Sequence, residues 1–187
     1  MGIRTGYDLA RKRFAEKYPK IRGFFESRPR LFDVFKVLSK LAVIFTYAMY
    51  AVGLIRAIWL IGHAPEPIEA RVNIIWFTAV PFAAFLVCTI VRKKINAPRP
   101  YEMGIEPLIP KKTAGLSCPS RHTACVTAIA LSWLVLMPPV GAVMLAVAVF
   151  IGASRIISGV HYPLDVLFGA VLSAVIYGAA LCLGLSL

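Results

Sequence analysis

The chain has 187 residues, enough for one domain. With 59% hydrophobic residues and a mean hydropathy of +0.74, it is too apolar for an ordinary soluble domain. A formal net charge of +12 would suit a nucleic-acid binder, but no nucleic-acid motif is visible and the long apolar runs have no place in that reading.

Residues 1–37 form the first unit. Arg11, Lys12, Arg13, Lys17, Lys20, Arg22, Arg28 and Arg30 alternate with Tyr7, Phe14, Tyr18, Phe24, Phe25, Phe32 and Phe35. The pattern predicts one or two amphipathic helices lying on an anionic membrane surface. Residues 38–187 form the second unit, a transmembrane domain. A span needs about 20 mostly apolar residues, and five stretches qualify or nearly qualify: Leu38–Ile61, Val72–Val91, the shorter His122–Met137, Val140–Ile157 and Pro163–Leu185. Lys40 and Arg56 lie near the ends of the first, where long side chains snorkel. Pro138-Pro139 makes a tight turn between the third and fourth. The predicted fold is therefore all-α: a polytopic helix bundle of about five spans preceded by a basic amphipathic segment.

Loop charges set the orientation. The basic N-terminus is expected to stay cytoplasmic. The first connection, Gly62 to Arg71, carries Glu66 and Glu69 and suits the outside. The loop from Arg92 to Cys118 is again basic and returns inside. Counting on, both His122 and His161 fall at the cytoplasmic face of what is expected to be a prokaryotic plasma membrane. Cys88, Cys118, Cys125 and Cys182 show no metal-ligand spacing and imply no disulfide framework. No metal or cofactor is expected, and the oligomeric state is left open.

Three segments carry chemistry, because ionisable groups at membrane depth are functional candidates by default. In Arg92-Lys93-Lys94-Ile95-Asn96-Ala97-Pro98-Arg99-Pro100 the second span ends, and Arg99 sits on a stiff, extended stretch between two prolines. Taken alone, this is better read as a stop-transfer cluster facing lipid headgroups. In Pro119-Ser120-Arg121-His122, serine suits an N-cap, and a helix start offers free N–H groups to an anion. Its plain alternative is a capped helix with an interfacial histidine. The third segment runs from Ser154 to Asp165. Arg155 can grip two phosphate oxygens. Asp165 lies four residues beyond His161, so the two can share a helix face, where a carboxylate would fix the imidazole tautomer. An Arg155–Asp165 ion pair closing a helix hairpin is the structural alternative.

Together these segments resemble the three signature motifs of the type 2 phosphatidic acid phosphatase family, within the superfamily of bacterial acid phosphatases and vanadium-dependent haloperoxidases. The patterns are K-x6-R-P, P-S-G-H and S-R-x5-H-x3-D. The third is complete at Ser154, Arg155, His161 and Asp165. The second has Arg121 in place of glycine, and the first has Arg92 in place of lysine. The resemblance spans roughly Val72 to Leu185. It implies a nucleophile at His161 that forms a phosphohistidine, oriented by Asp165, with His122 protonating the leaving group and then activating water. It also implies a phosphate held by Arg92, Arg99, Ser120 and Arg155 with the backbone of Arg121 helping, and no metal. Lys93 or Lys94 is the alternative occupant of the lysine role. The Arg121 side chain is expected to touch the rest of a substrate headgroup. The family core commonly has six spans; here the first is replaced by the basic segment.

The function expected is that of an integral-membrane lipid phosphate phosphatase. Phosphatidic acid, phosphatidylglycerol phosphate and polyprenyl phosphates or diphosphates are the candidate substrates, with the lipid tail entering laterally between helices. The rival reading is a catalytically weak protein that binds or transports lipid phosphates. It would keep the arginines without needing both histidines and Asp165.

Overall fold

The computed structural model describes residues 2–111 and 113–183. Helix α1 (Gly2–Glu26) ends at a turn through Ser27 and Arg28. Pro29 then opens α2 (Pro29–His63). Prolines likewise open α3 (Pro67–Ile74), α6 (Pro138–Ile157) and α7 (Pro163–Cys182). At the first helical position the missing N–H is not needed, and the fixed φ favours initiation. Helix α5 (Arg121–Leu136) is instead capped by the Ser120 hydroxyl, which accepts from the Thr123 N–H. The serine cap agrees with the sequence, whereas Pro138 and Pro139, expected as a turn, are the first residues of α6.

Helix α3 continues through a π-helical turn, Ile75–Ala79, into α4 (Val80–Ile95). Pro81 accounts for the widened turn, because its ring would clash with the carbonyl four residues earlier in a regular helix. The second span thus begins at Pro67, earlier than Val72. Arg56 differs from expectation too. Instead of snorkelling, its guanidinium bonds the Asn73 amide oxygen and lies 3.5 Å from Glu69, so it closes the α2–α3 turn. The last span reaches Cys182; residues 184–187, including Leu185, lie outside the described residues.

Among the described residues, four rods are long and apolar enough to cross a membrane, namely α2, the α3–α4 rod, α6 and α7; α5 is shorter. Its 16 residues work because α5 is the central helix, packed against α4, α6 and α7. Residues 126–133 are buried without interruption. Close approach to α7 depends on Gly169, where a Cβ would stand 2.6 Å from the Ser120 carbonyl oxygen. Ser173 continues the contact, its hydroxyl donating to the Ala124 carbonyl at 2.7 Å. Such small and hydroxylated residues are the normal glue between helices in lipid. The outer faces are apolar instead: Ile44, Ile55 and Ile58 of α2, Phe82 of α4, Val149 of α6 and Val175 of α7 are all exposed, as lipid-facing residues should be.

This order of rods brings one end of every helix to the same face. Helix α4 ends there, α5 starts there, α6 ends there and α7 starts there. Helix α1 packs on that face through Phe14 and Tyr18, which cluster with Ile105 and Tyr162. Every candidate residue lies at this end.

Candidate active site

Each segment is shaped locally before it contributes a side chain. Helix α4 stops where Asn96 takes a left-handed conformation (φ 42°), which asparagine tolerates better than most residues. The extended stretch that follows holds Arg99, whose backbone N–H donates to Glu102 at 2.7 Å. Glu102 also accepts from the Gly115 N–H at 2.8 Å, and the Arg99 Nε donates to the Gly115 carbonyl at 2.9 Å. The loop is thereby folded back over the end of α4. Arg92 bonds the Leu116 carbonyl, and the Ser117 N–H reaches the Ala97 carbonyl at 2.8 Å. Helix α6 ends at Gly159, in the left-handed region at φ 74°, the usual helix stop.

These segments enclose a cavity of about 310 Å³. Its wall brings together Arg92, Lys93, Arg99, Arg121, His122, Arg155 and His161. Arg92 and Arg99 are buried, whereas Lys93 is exposed and Lys94 lines a different cavity. No acidic side chain lines the wall among the described residues. The buried Arg155 Nε has no hydrogen-bond partner among the described residues. A donor set of guanidinium and ammonium groups suits a multiply charged oxyanion and repels a metal ion.

Asp165 lies behind the cavity and is completely buried. It performs two jobs. As the third residue of α7 it accepts the Tyr162 N–H on Oδ2 at 2.9 Å, a reciprocal cap of the helix. The same carboxylate faces His161, with Nδ1 to Oδ2 at 3.7 Å. That is ion-pair range, longer than a formed hydrogen bond. Such contacts are often long in the free state and tighten around a reacting substrate. Oδ2 also accepts the Ser117 hydroxyl at 2.5 Å. With Nδ1 turned toward Asp165, the other ring nitrogen of His161 is the one left for the cavity. Burial pulls the His161 imidazole below its ordinary range, against the opposing pull of Asp165, a balance that favours the neutral ring.

Ser120 is buried and does not line the cavity; its oxygen accepts the Thr123 hydroxyl at 3.0 Å. Its backbone N–H donates to the Asp165 carbonyl at 2.8 Å, which ties the start of α5 to the start of α7. Three neighbours of the site were not singled out from sequence. Lys111 lines the cavity, where burial and the charge of Arg155 lower its pKa; in sequence it was one more basic loop residue. Ser117 and Tyr7 bond Asp165, from 48 and 158 residues away, and no local pattern announces contacts of that separation.

A second cavity, of about 360 Å³, opens beside the first between α2, α4 and α5. Its wall is mostly apolar and includes Val43, Phe85, Val126 and Ile129. Arg121 and His122 belong to both cavities, and the Arg121 guanidinium lies 5.5 Å from the centre of the Phe85 ring.

A membrane helix bundle that gathers cationic side chains and two histidines around one cavity, with an apolar groove alongside, defines a membrane protein built to handle a phosphate group on an amphiphile. The chain belongs to the PAP2 superfamily, which its residues 73–185 match. Undecaprenyl-diphosphatase BcrC of Bacillus subtilis is 32% identical over 145 residues, covering 76% of this chain and 72% of that protein. Lipid A 1-phosphatase of Rhizobium etli is 29% identical over 113 residues, which is 54% of this chain and 48% of that one. Among solved structures, LpxE of Aquifex aeolicus gives a TM-score of 0.52 at 23% identity over 81% of this chain and 94% of its own. The transmembrane PAP2-type phosphatidylglycerolphosphate phosphatase of Bacillus subtilis gives 0.52 at 16% identity, over 93% and 95%. At those identities the two structures speak to the fold, which they share with this bundle.

Proposed function

We propose that this chain, an integral-membrane lipid phosphatase of the PAP2 superfamily, cleaves a phosphomonoester or pyrophosphate of a lipid through a covalent phosphohistidine on His161. The observation that carries this reading is the shared wall. His122 stands between the cationic cavity and the apolar groove, where the bond between phosphorus and the lipid's oxygen would lie.

The steps follow from that placement. Arg92, Arg99 and Arg155 hold the nonbridging oxygens and stabilise the charge that builds on them. Lys111 adds an ammonium group, and Lys93 stands at the exposed rim. The cavity-side nitrogen of His161 attacks phosphorus while Asp165, remaining ionised, stabilises the positive charge that develops on the ring through its Nδ1–H. The phosphorus–oxygen bond to the lipid breaks, and His122 gives its proton to the leaving oxygen. Water then enters, His122 takes a proton from it, and the phosphorus–nitrogen bond breaks to release phosphate. Ser120 serves by placing the N-terminus of α5. Arg121 meets the part of the headgroup that lies between the phosphate and the tail.

Two further points belong to this reading. Residues 1–37 act as a basic membrane-surface unit and residues 38–187 as the phosphatase unit. The site faces the cytoplasm, because basic α1 packs at the same end as His161 and basic segments are retained on that side. A polyprenyl diphosphate is the substrate to test first, since a relative matching 76% of the chain is named for such a lipid. The test is phosphate release by purified protein from polyprenyl diphosphate, phosphatidic acid and phosphatidylglycerol phosphate. Release from at least one lipid that is lost in His161→Ala supports the reading; equal release by His161→Ala on every lipid overturns it.

A further inference from the structure

We infer that Tyr7, on the N-terminal amphipathic helix, is a positioning residue for catalysis: it fixes the Asp165 carboxylate that orients His161, so that the chemistry depends on α1 being docked. The inference rests on the His161 reading above and adds a residue that lies outside the three motifs and outside residues 73–185, the part matched to the superfamily.

The Tyr7 hydroxyl donates to Asp165 Oδ1 at 2.7 Å. Oδ2 is occupied by Ser117 and by the Tyr162 N–H and faces His161. The two oxygens of one carboxylate are thus divided: one side is held by α1, and the other is presented to the imidazole. A carboxylate turns about a single soft torsion, so the donor on Oδ1 helps decide where Oδ2 points. The gap of 3.7 Å to Nδ1 is one that such a turn opens or closes. Burial and the nearby Asp165 charge raise the Tyr7 pKa far above its ordinary value, which keeps the phenol a donor throughout the working pH range.

The bond is not a by-product of tight packing. Between α1, the end of α4 and the start of α7 lies a cavity of about 670 Å³, and Tyr7 is part of its wall together with Arg11, Lys94 and Phe168. The phenol reaches the carboxylate beside open space. What holds α1 in place is a separate set of contacts. The Tyr18 hydroxyl donates to the Ile157 carbonyl at 3.0 Å and accepts the Leu108 N–H at 3.1 Å. Arg11 lies over the Tyr162 ring at 5.0 Å, and Arg22 pairs with Glu106. Gly159 leaves the room Tyr18 needs, since a Cβ there would stand 2.4 Å from the Tyr18 hydroxyl. Helix α1 is therefore docked on the very loop that carries His161, and Tyr7 is its contact with the reacting pair.

The test is Tyr7→Phe in the full chain, which keeps the ring and removes only the donor. Hydrogen bonds to charged groups of this kind correspond to roughly a tenfold effect or somewhat more. We expect kcat, and the rate of phosphoenzyme formation, to fall about tenfold, with KM within about twofold and an unchanged melting temperature in detergent. A Tyr7→Phe enzyme with the wild-type kcat overturns the inference. So does a variant whose melting temperature falls and whose kcat and KM change together, because that pattern assigns Tyr7 to packing alone. His161→Ala measured in parallel separates the two claims: if it retains full activity, the phosphohistidine reading has failed, whatever Tyr7→Phe does.

Discussion

At the scale of single residues, the site asks opposite things of similar groups. In the proposed mechanism His161 must be neutral to attack, and its buried position favours the neutral ring. Because its pKa is lowered from the ordinary imidazole value, the acid limb of kcat/KM should lie below pH 6.5. Asp165 opposes that lowering, so Asp165→Asn should move the limb further toward acid while cutting the rate by about 10²-fold or more through loss of tautomer control. A pH–rate profile of both proteins checks the sign; a limb that moves toward alkali in Asp165→Asn contradicts it. Arg121 makes a different demand. It stands at the glycine position of the family pattern, is exposed, and borders both the anion cavity and the apolar groove. Arg121→Gly should therefore change KM unequally across lipid phosphates of different headgroup, by about fivefold or more for the preferred one, while leaving kcat for the others near its starting value. An equal loss on all of them would place Arg121 in general phosphate binding.

At the scale of elements, Gly169 and Gly159 are the two tight positions that bear directly on the site. Gly169 lets α7 approach the start of α5, and a methyl there would meet the Ser120 carbonyl. Gly169→Ala should destabilise the bundle by about 1–3 kcal/mol, the usual cost of overpacking, and the melting temperature in detergent should fall accordingly. Because Ser120 also bonds the Asp165 backbone, activity should fall before the fold is lost. The existence of the helices was legible in the sequence: each of the five apolar stretches holds a helix and the Ser120 cap stands where it was expected, while the helix of the first stretch starts at Pro29 and that of the fourth already at Pro138. The short third span was legible as short. Its reason, a central helix buried by three neighbours, was not, since a nearly all-apolar run does not say whether lipid or protein surrounds it. The earlier start at Pro67 was hidden because the polar Glu66–Arg71 stretch reads as loop by composition, although Pro67 opens a helix and Arg56 closes the turn from across it.

At the scale of the whole molecule, most of the lining of the cationic cavity was legible because its side chains sit in three spaced motifs, while the supports behind it were not. Ser117 and Tyr7 reach Asp165 across the fold, and Lys111 looked like a topology charge. The placement of α1 was equally hidden: its basic, aromatic composition predicted a membrane surface, and the fold shows that Phe14 and Tyr18 are buried against the site's own loop. That packing ties the orientation of the site to the orientation of α1. Cys118 is a poor reporter for this, because it is buried and its thiol is pushed up to about 12 by burial and by Asp165. Met103, exposed on the same loop, is the better position. A Met103→Cys variant lacking the native cysteines should be labelled by an impermeant thiol reagent only after cells are opened; strong labelling of intact cells would place the site outside.

The central claim is a covalent intermediate on His161, and it is tested most directly by trapping it. Purified enzyme is mixed with a polyprenyl diphosphate radiolabelled at the terminal phosphate and quenched within the first turnover. The account predicts label on the protein that is stable to alkali, labile to acid and located on His161. The label should be absent in His161→Ala. Phosphate release at the wild-type rate by His161→Ala, with no label on wild-type protein at any time, would contradict it.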